Sequence, residues 1–183
     1  MKNKTRELLL DSGFKEFYKN GYQGASVATI LQEVGINKGS MYHFFKSKKI
    51  LALEVIKERI YQNLELKYRK ILEDDNSFSL LFETLYSAVD TLPYGCPLNK
   101  MSQEMVYLDT DFYEELSKVY RMFEGLVEKI LIKAQKEKVI SQTDSFSTAR
   151  LIIATYEGAL MMYHLNQDKS VFESVIKDLQ NKL

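Results

Sequence analysis

Two prolines, one cysteine and no long apolar run are what this 183-residue sequence has least of. A single thiol, Cys96, cannot close an internal disulfide, which agrees with a reducing compartment. No stretch approaches the roughly 18 consecutive apolar residues of a membrane span. The opening residues, MKNKTRELLLDSGFKEF, place charge too close to their one apolar run for a secretory leader. These absences predict a cytoplasmic protein with no membrane partner. Sustained apolar–polar alternation is missing as well, so strands are not expected. The two histidines, His43 and His164, stand far apart in the sequence. No His, Cys, Asp or Glu cluster has metal-ligand spacing, and no glycine-rich loop opens a helix, so an enzyme, a metal or another cofactor is not expected.

What is present is apolar residues at 45%, enough for a core. The net charge is zero, but the signs are unevenly spread. Residues 1–60 carry 11 Lys/Arg against 6 Asp/Glu, a net +5, which leaves −5 for the remainder. A basic head joined to an acidic body is the charge pattern of a DNA-reading unit carried on a part that does not touch DNA.

The fold class read from this pattern is all-α, with about nine helices. The first spans about 3–20, with Leu10, Gly13, Phe14 and Phe17 on one face and Gly21 as a C-cap. Ser26 caps a second that ends at Gly35, Asn37 caps a short third over about 38–45, and Ser47 caps a long fourth reaching about 74. The next runs from about Phe78 to Leu92, and Pro93 and Pro97 bracket the turn before a sixth over about 97–107. The last three cover about 112–138, 146–166 and 171–182. The expected division is a three-helix DNA-binding part at 1–47 and a helical remainder at 48–183.

Two short helices joined by Gly35-Ile36-Asn37 have the length and punctuation of a helix-turn-helix. Ile36, Met41 and Phe45 form the inward face, which leaves Lys38, Gly39, Ser40, Tyr42 and His43 outward or at the flank. Gly39 has no side chain to hold DNA away.

At these residues the sequence resembles the N-terminal signature of the TetR family. The resemblance is carried by Thr5 to Phe17, Gly21-Tyr22, Ser26-Val27, Ile30, Val34-Gly35-Ile36, Lys38-Gly39-Ser40-Met41-Tyr42, Phe45 and Lys46-Ser47-Lys48 with Leu51. It implies a ligand-responsive transcriptional repressor that binds palindromic double-stranded operator DNA as a homodimer, with 48–183 as its ligand-binding and dimerisation part. Ser26 and Lys48 would meet phosphates, and Lys38, Gly39, Ser40 and Tyr42 would lie on the groove or its backbone, with His43 beside them. Three positions depart from the pattern: Gly13 and Leu31 stand where alanine is common, and the usual histidine before Phe45 is Phe44, with His43 one place earlier. A helical ligand-binding or adaptor protein without DNA binding, and a transcriptional activator, are the alternative readings.

The resemblance also implies an inducer cavity among the middle helices. The candidate lining is Phe82, Tyr86, Cys96, Met101, Met105, Tyr120, Phe123 and Tyr156, which suits a small apolar or aromatic compound. Residues 94–105 resemble a Gly-Cys-Pro-Leu segment of one branch of the family, in which some relatives sense electrophiles or oxidants through a cysteine. Pro97 at the first helical position makes Cys96 an N-cap with Lys100 one turn on, an arrangement that favours thiolate. A buried, unreactive cysteine is the other reading. Helices eight and nine, with Phe146, Ala149, Ile152, Ile153, Tyr156, Ala159, Leu160, Tyr163, Phe172, Val175, Ile176 and Leu179, offer more apolar face than one body needs. They are therefore expected to pair two chains as a four-helix bundle, with Gly158 and Ala159 permitting close approach.

Overall fold

The computed structural model describes residues 2–183, and every regular element among them is helical. In chain order these are α1 (Lys2–Gly24), α2 (Val27–Val34), α3 (Lys38–Phe44), α4 (Lys48–Val55), a π-helical segment (Ile56–Tyr61), α5 (Gln62–Glu73), α6 (Ser77–Tyr86), α7 (Ala88–Thr91), α8 (Pro97–Met105), α9 (Thr110–Lys136), α10 (Ser145–Asn166) and α11 (Lys169–Asn181).

The long fourth helix expected from the sequence exists, since 48–73 is helical without a break, but its middle is π-helical. That segment carries Glu58 and Arg59, both of which bond to α1. The wider π turn lets these two reach α1 while Ile56 and Ile60 stay buried. A single helix over 78–92 was expected, and the chain instead bends at Ser87. There the Ser87 hydroxyl donates to the Thr84 carbonyl at 2.9 Å, and the Thr91 hydroxyl donates to the Ser87 carbonyl at 2.9 Å. Such side-chain bonds compete with the helical ladder. The first helix continues past Asn20, with a kink where Gly21 adopts φ 73, ψ 169.

The chain divides into two compact units. The first comprises the residues up to Asn63 together with Pro97–Val119. Its core is built from Leu9, Leu10, Phe17, Ile30, Met41, Phe45, Leu51, Val55, Phe112 and Leu116, all buried. Fully burying a side chain such as Phe17 or Phe45 is worth about 1.5–3 kcal/mol. Gly13 lets α1 and α4 come close, because a β-carbon there would stand 3.3 Å from Val55 Cγ2.

The second unit comprises Leu64–Cys96 and Tyr120–Leu183. Tyr68, Leu81, Phe82, Phe123, Ile130, Ile152, Tyr156, Leu160, Phe172 and Ile176 fill its core. One correction concerns the last two helices. Ala149, Ile152, Ile153, Tyr156, Ala159, Leu160, Phe172, Ile176 and Leu179 are buried within the subunit, so they are core rather than surplus face. The apolar stripe left open on α10 is Leu151, Ala154, Gly158, Met161 and Leu165, at steps of three and four.

Candidate nucleic-acid interface and ligand-binding body

The second and third helices are set by three local devices. The Ser26 hydroxyl accepts from Thr29 N–H at 3.3 Å to open α2. Gly35, left-handed at φ 73, ψ 35, closes it, with its own N–H and that of Ile36 returning to the Leu31 carbonyl. Asn37 then accepts from Ser40 N–H at 2.8 Å to open α3. Met41 and Phe45 are wholly buried, which fixes the rotation of α3 about its axis. Lys38, Gly39, Tyr42 and His43 are exposed as a result, and Ser40 is half-buried. The Lys38 ammonium lies 6.0 Å from the Tyr42 ring centroid. Ser26 is half-buried, and its N–H donates to Glu16 Oε1 at 2.8 Å. Ile36, expected inward, is only half-buried, and Leu31, where a smaller residue is common, is accommodated at the border of burial.

Neighbouring lysines at the start of α4 have different partners. Lys48 Nζ donates to the Gln23 carbonyl at 3.3 Å and lies 4.8 Å from the Tyr22 ring centroid. Lys49 forms ion pairs of 2.7 Å with both Asp109 and Asp111. These hydrogen bonds, that of Asp109 first, push the Lys49 ammonium up to about 12, and Lys49 in turn holds Asp109 below the usual carboxylate range. Lys49 is thus neutralised within the protein, whereas no carboxylate is paired with Lys48 among the ion pairs of this turn.

A charged network ties α1 to α4 and the π segment, and the sequence carried no sign of it. Arg6 donates to Glu58 and to Glu54, and Arg59 donates to Glu7 and Asp11, each of these two at 2.7 Å. The Arg6 guanidinium also lies over the Phe45 ring, 5.5 Å from its centroid. A second set involves α8. Glu104 accepts from the N–H of Tyr22 at 2.7 Å and of Gln23 at 2.6 Å, and Lys100 donates to the carbonyls of Tyr18 at 2.8 Å and Lys19 at 3.0 Å.

Of the eight residues expected to line a ligand cavity, Met101 and Met105 fall in the first unit, both buried. Met101 borders a cavity of about 10 Å³ with Phe14, Phe17, Tyr18, Gly21, Val55, Ile60, Pro97 and Lys100. That is room for at most one water molecule. The other six fall in the second unit. Phe82 packs at a tilt against Phe78, Phe123 packs edge-on against Tyr68 with centroids 4.6 Å apart, and Tyr156 packs against Phe172. Tyr86 is half-buried, with its hydroxyl 3.5 Å from Gln180 Oε1, and Tyr120 is exposed along one side.

Cys96 is half-buried at the residue before Pro97, the first of α8. Lys67, a residue no sequence argument singled out, interacts with it electrostatically. Desolvation pulls the Lys67 ammonium below the lysine range, and the neighbouring Cys96 acts the other way. Burial, aided by Cys96 and Glu157, pushes the Tyr68 phenol far up, so it stays neutral. Glu157 also adjoins Tyr120, whose phenol desolvation raises. Cys96, Lys67, Tyr120 and Glu157 are thus linked electrostatically around the buried Tyr68, with Lys67 and Tyr120 themselves exposed.

Comparison with known proteins agrees with this geometry. Residues 9–55 match the family described as bacterial regulatory proteins, tetR family, and residues 80–179 match a tetracyclin repressor-like C-terminal domain. An uncharacterized HTH-type transcriptional regulator in the lacX 3′ region of Lactococcus lactis subsp. lactis is 31% identical, over 93% of this chain and 88% of that protein. The HTH-type transcriptional repressor NemR of Escherichia coli K12 is 23% identical over 97% of this chain and 92% of its own. Among solved structures, reduced E. coli NemR aligns with a TM-score of 0.86 at 21% identity, covering 97% and 96% of the two chains. A TetR-family regulator from Agrobacterium tumefaciens aligns with a TM-score of 0.88 at 17% identity, covering 100% and 99%. Matched along both its halves, and aligned almost end to end with a relative 31% identical to it, the chain belongs to the TetR family of bacterial regulatory proteins.

Proposed function

We propose that this protein is a cytoplasmic, ligand-responsive transcriptional repressor that binds palindromic operator DNA as a homodimer and is released by a small apolar or aromatic compound or an electrophile. Residues 1–47 read DNA in this proposal, and 48–183 hold the ligand and the partner subunit. The observation that carries it is the orientation of α3. With Met41 and Phe45 locked in the core, the exposed side of this seven-residue helix is Lys38, Gly39, Tyr42 and His43, a polar and sterically open surface of the kind that enters a major groove. Ser26 and Lys48 flank it and take the phosphate contacts. Reading DNA is a binding function and calls for no catalytic group.

The partner face we assign is the open stripe of α10, continued by the half-buried Val171 and Val175 of α11. Leu151 is 55% exposed and Leu165 77% exposed, and a β-carbon added at Gly158 would meet nothing within 4 Å. A glycine inside a helix costs about 1 kcal/mol relative to alanine, a cost offset when a partner backbone approaches closely. Phe82, Tyr86, Cys96, Tyr120, Phe123 and Tyr156, all in the second unit, are the residues we assign to ligand contact. Cys96 beside Lys67 supplies the one nucleophile in that group. No helix among the described residues is long and apolar enough to cross a membrane.

The test is a duplex selected by the wild-type protein from a randomised pool and titrated by fluorescence anisotropy. Lys48→Ala is expected to weaken binding to all sequences and lower the salt slope by about 1, whereas Tyr42→Ala costs about 1–3 kcal/mol on the selected site alone. Wild-type binding by both variants overturns the interface. In sedimentation, Leu165→Glu is expected to shift the protein toward monomer, and an unchanged dimer removes the α10 stripe from the proposal.

A further inference from the structure

An unbroken α1 would pair the Tyr22 N–H with the Tyr18 carbonyl and the Gln23 N–H with the Lys19 carbonyl, each four residues back. The turn at Gly21, φ 73 and ψ 169, separates these partners. Two donors and two acceptors are thereby freed, and for the part-buried Tyr22 N–H and Tyr18 carbonyl the lack of a partner is costly. One helix supplies both remedies. Glu104 takes the two N–H groups, one on each carboxylate oxygen, and Lys100 gives its ammonium to the two carbonyls. Lys100 and Glu104 are four residues apart, so they stand one turn apart on the same side of α8. The break in α1 and the charged pair on α8 are complementary, cation to acceptors and anion to donors.

Gly21 is part of the same fitting. Its positive φ disfavours any side chain, and a β-carbon there would stand 2.7 Å from Glu104 Oε2. The segment that Glu104 grips also carries the surroundings of Lys48, for the Gln23 carbonyl receives the Lys48 ammonium and the Tyr22 ring lies under it. Tyr22 also packs edge-on against Phe112, with ring centroids 4.8 Å apart.

We infer that Glu104, with Lys100, is a positioning residue for DNA binding: the pair latches the kink of α1 and so places the Lys48 ammonium for its phosphate. The inference rests on the reading of Lys48 as a phosphate contact. It makes α8 the element whose register sets the competence of the head.

The experiment is a double-mutant cycle on the full chain with the selected duplex, read as affinity and as salt slope. Glu104→Ala is expected to weaken binding about tenfold and to make the slope shallower by about 1, as if one phosphate contact were gone. In a Lys48→Ala background the same substitution is expected to add less than about a twofold loss. Amide resonances of Tyr22 and Gln23 report the latch directly, and both are expected to move on substitution. Should the alanine variant fail to fold, Glu104→Gln keeps the shape and one acceptor and is expected to give the shallower slope with an intermediate loss. Wild-type affinity and slope in the folded Glu104 variant overturn the inference, as does an equal loss in both backgrounds, the signature of a merely structural role. Lys48→Ala with unchanged affinity and slope overturns the phosphate assignment itself, a different result from either of these.

Discussion

The two units are held together by different kinds of force. In the first, helices are tied by directional, charged bonds: Arg6 to Glu54 and Glu58, Arg59 to Glu7 and Asp11, Lys15 to Glu33, Lys49 to Asp109 and Asp111, and Glu104 and Lys100 to the backbone of α1. In the second, rings and alkyl chains dominate, through Phe78–Phe82, Tyr68–Phe123 and Tyr156–Phe172, with Glu124–Arg150 as its one ion pair that buries a carboxylate. Directional bonds fix register, which a DNA-reading surface needs within a fraction of an ångström. Aromatic packing is less directional and tolerates rearrangement, which suits a part that must admit a ligand. The comparison thus matches the kind of force to the task of each unit.

The sharpest way to break it is by truncation. Phe123→Ala removes a ring packed edge-on against Tyr68 and is expected to cost about 3–5 kcal/mol in urea denaturation. Arg6→Ala removes a partly exposed guanidinium from its carboxylates and is expected to cost about 1–2 kcal/mol, between the exposed and buried limits for ion pairs. An Arg6 loss equal to that at Phe123 would show that charge, rather than packing, carries the stability of both units.

A smaller effect sharpens the contrast through pH. In the first unit the hydrogen bonds of Lys49, Lys15 and Arg6 hold Asp109, Glu33 and Glu58 below their usual ranges. Their folded values lie beneath the unfolded ones, so this stabilisation is present above about pH 4 and is lost as pH falls through the folded values. In the second unit burial raises the Tyr68 phenol, and its contribution is whole below about pH 10 and is lost as pH rises beyond it. Thermal melts across pH are expected to show a shallower acid limb in Asp109→Asn, with Glu33 and Glu58 still contributing, and a shallower alkaline limb in Tyr68→Phe. Identical pH profiles in both variants and wild type would remove the distinction.

Much of the head was legible in the sequence, because its signals are local. Ser26, Gly35, Asn37 and Ser47 each cap or stop a helix through bonds to residues at most four positions away, and the spacing of Met41 and Phe45 rotates α3 outward. The candidate ligand residues were less legible. Aromatic and Met side chains at helical spacing look alike whether they fill a core or line a cavity, and Lys67 gave no sign of lying beside Cys96. Ala149, Ile152, Ile153, Tyr156, Ala159 and Leu160, which periodicity alone placed on the partner face, are core, because periodicity marks which side of a helix is apolar and says nothing of what covers it.

The sequence alone determined an all-helical chain, the helix-turn-helix with its outward residues, and family membership, since each follows from short-range caps, helical period and a contiguous signature. Only the tertiary structure decided which charges meet. The partners of Gly21's broken turn lie some 80 positions along the chain, and those of Arg6 about 50. Such pairings leave no trace in local spacing, because they exist only once packing has brought one helix against another.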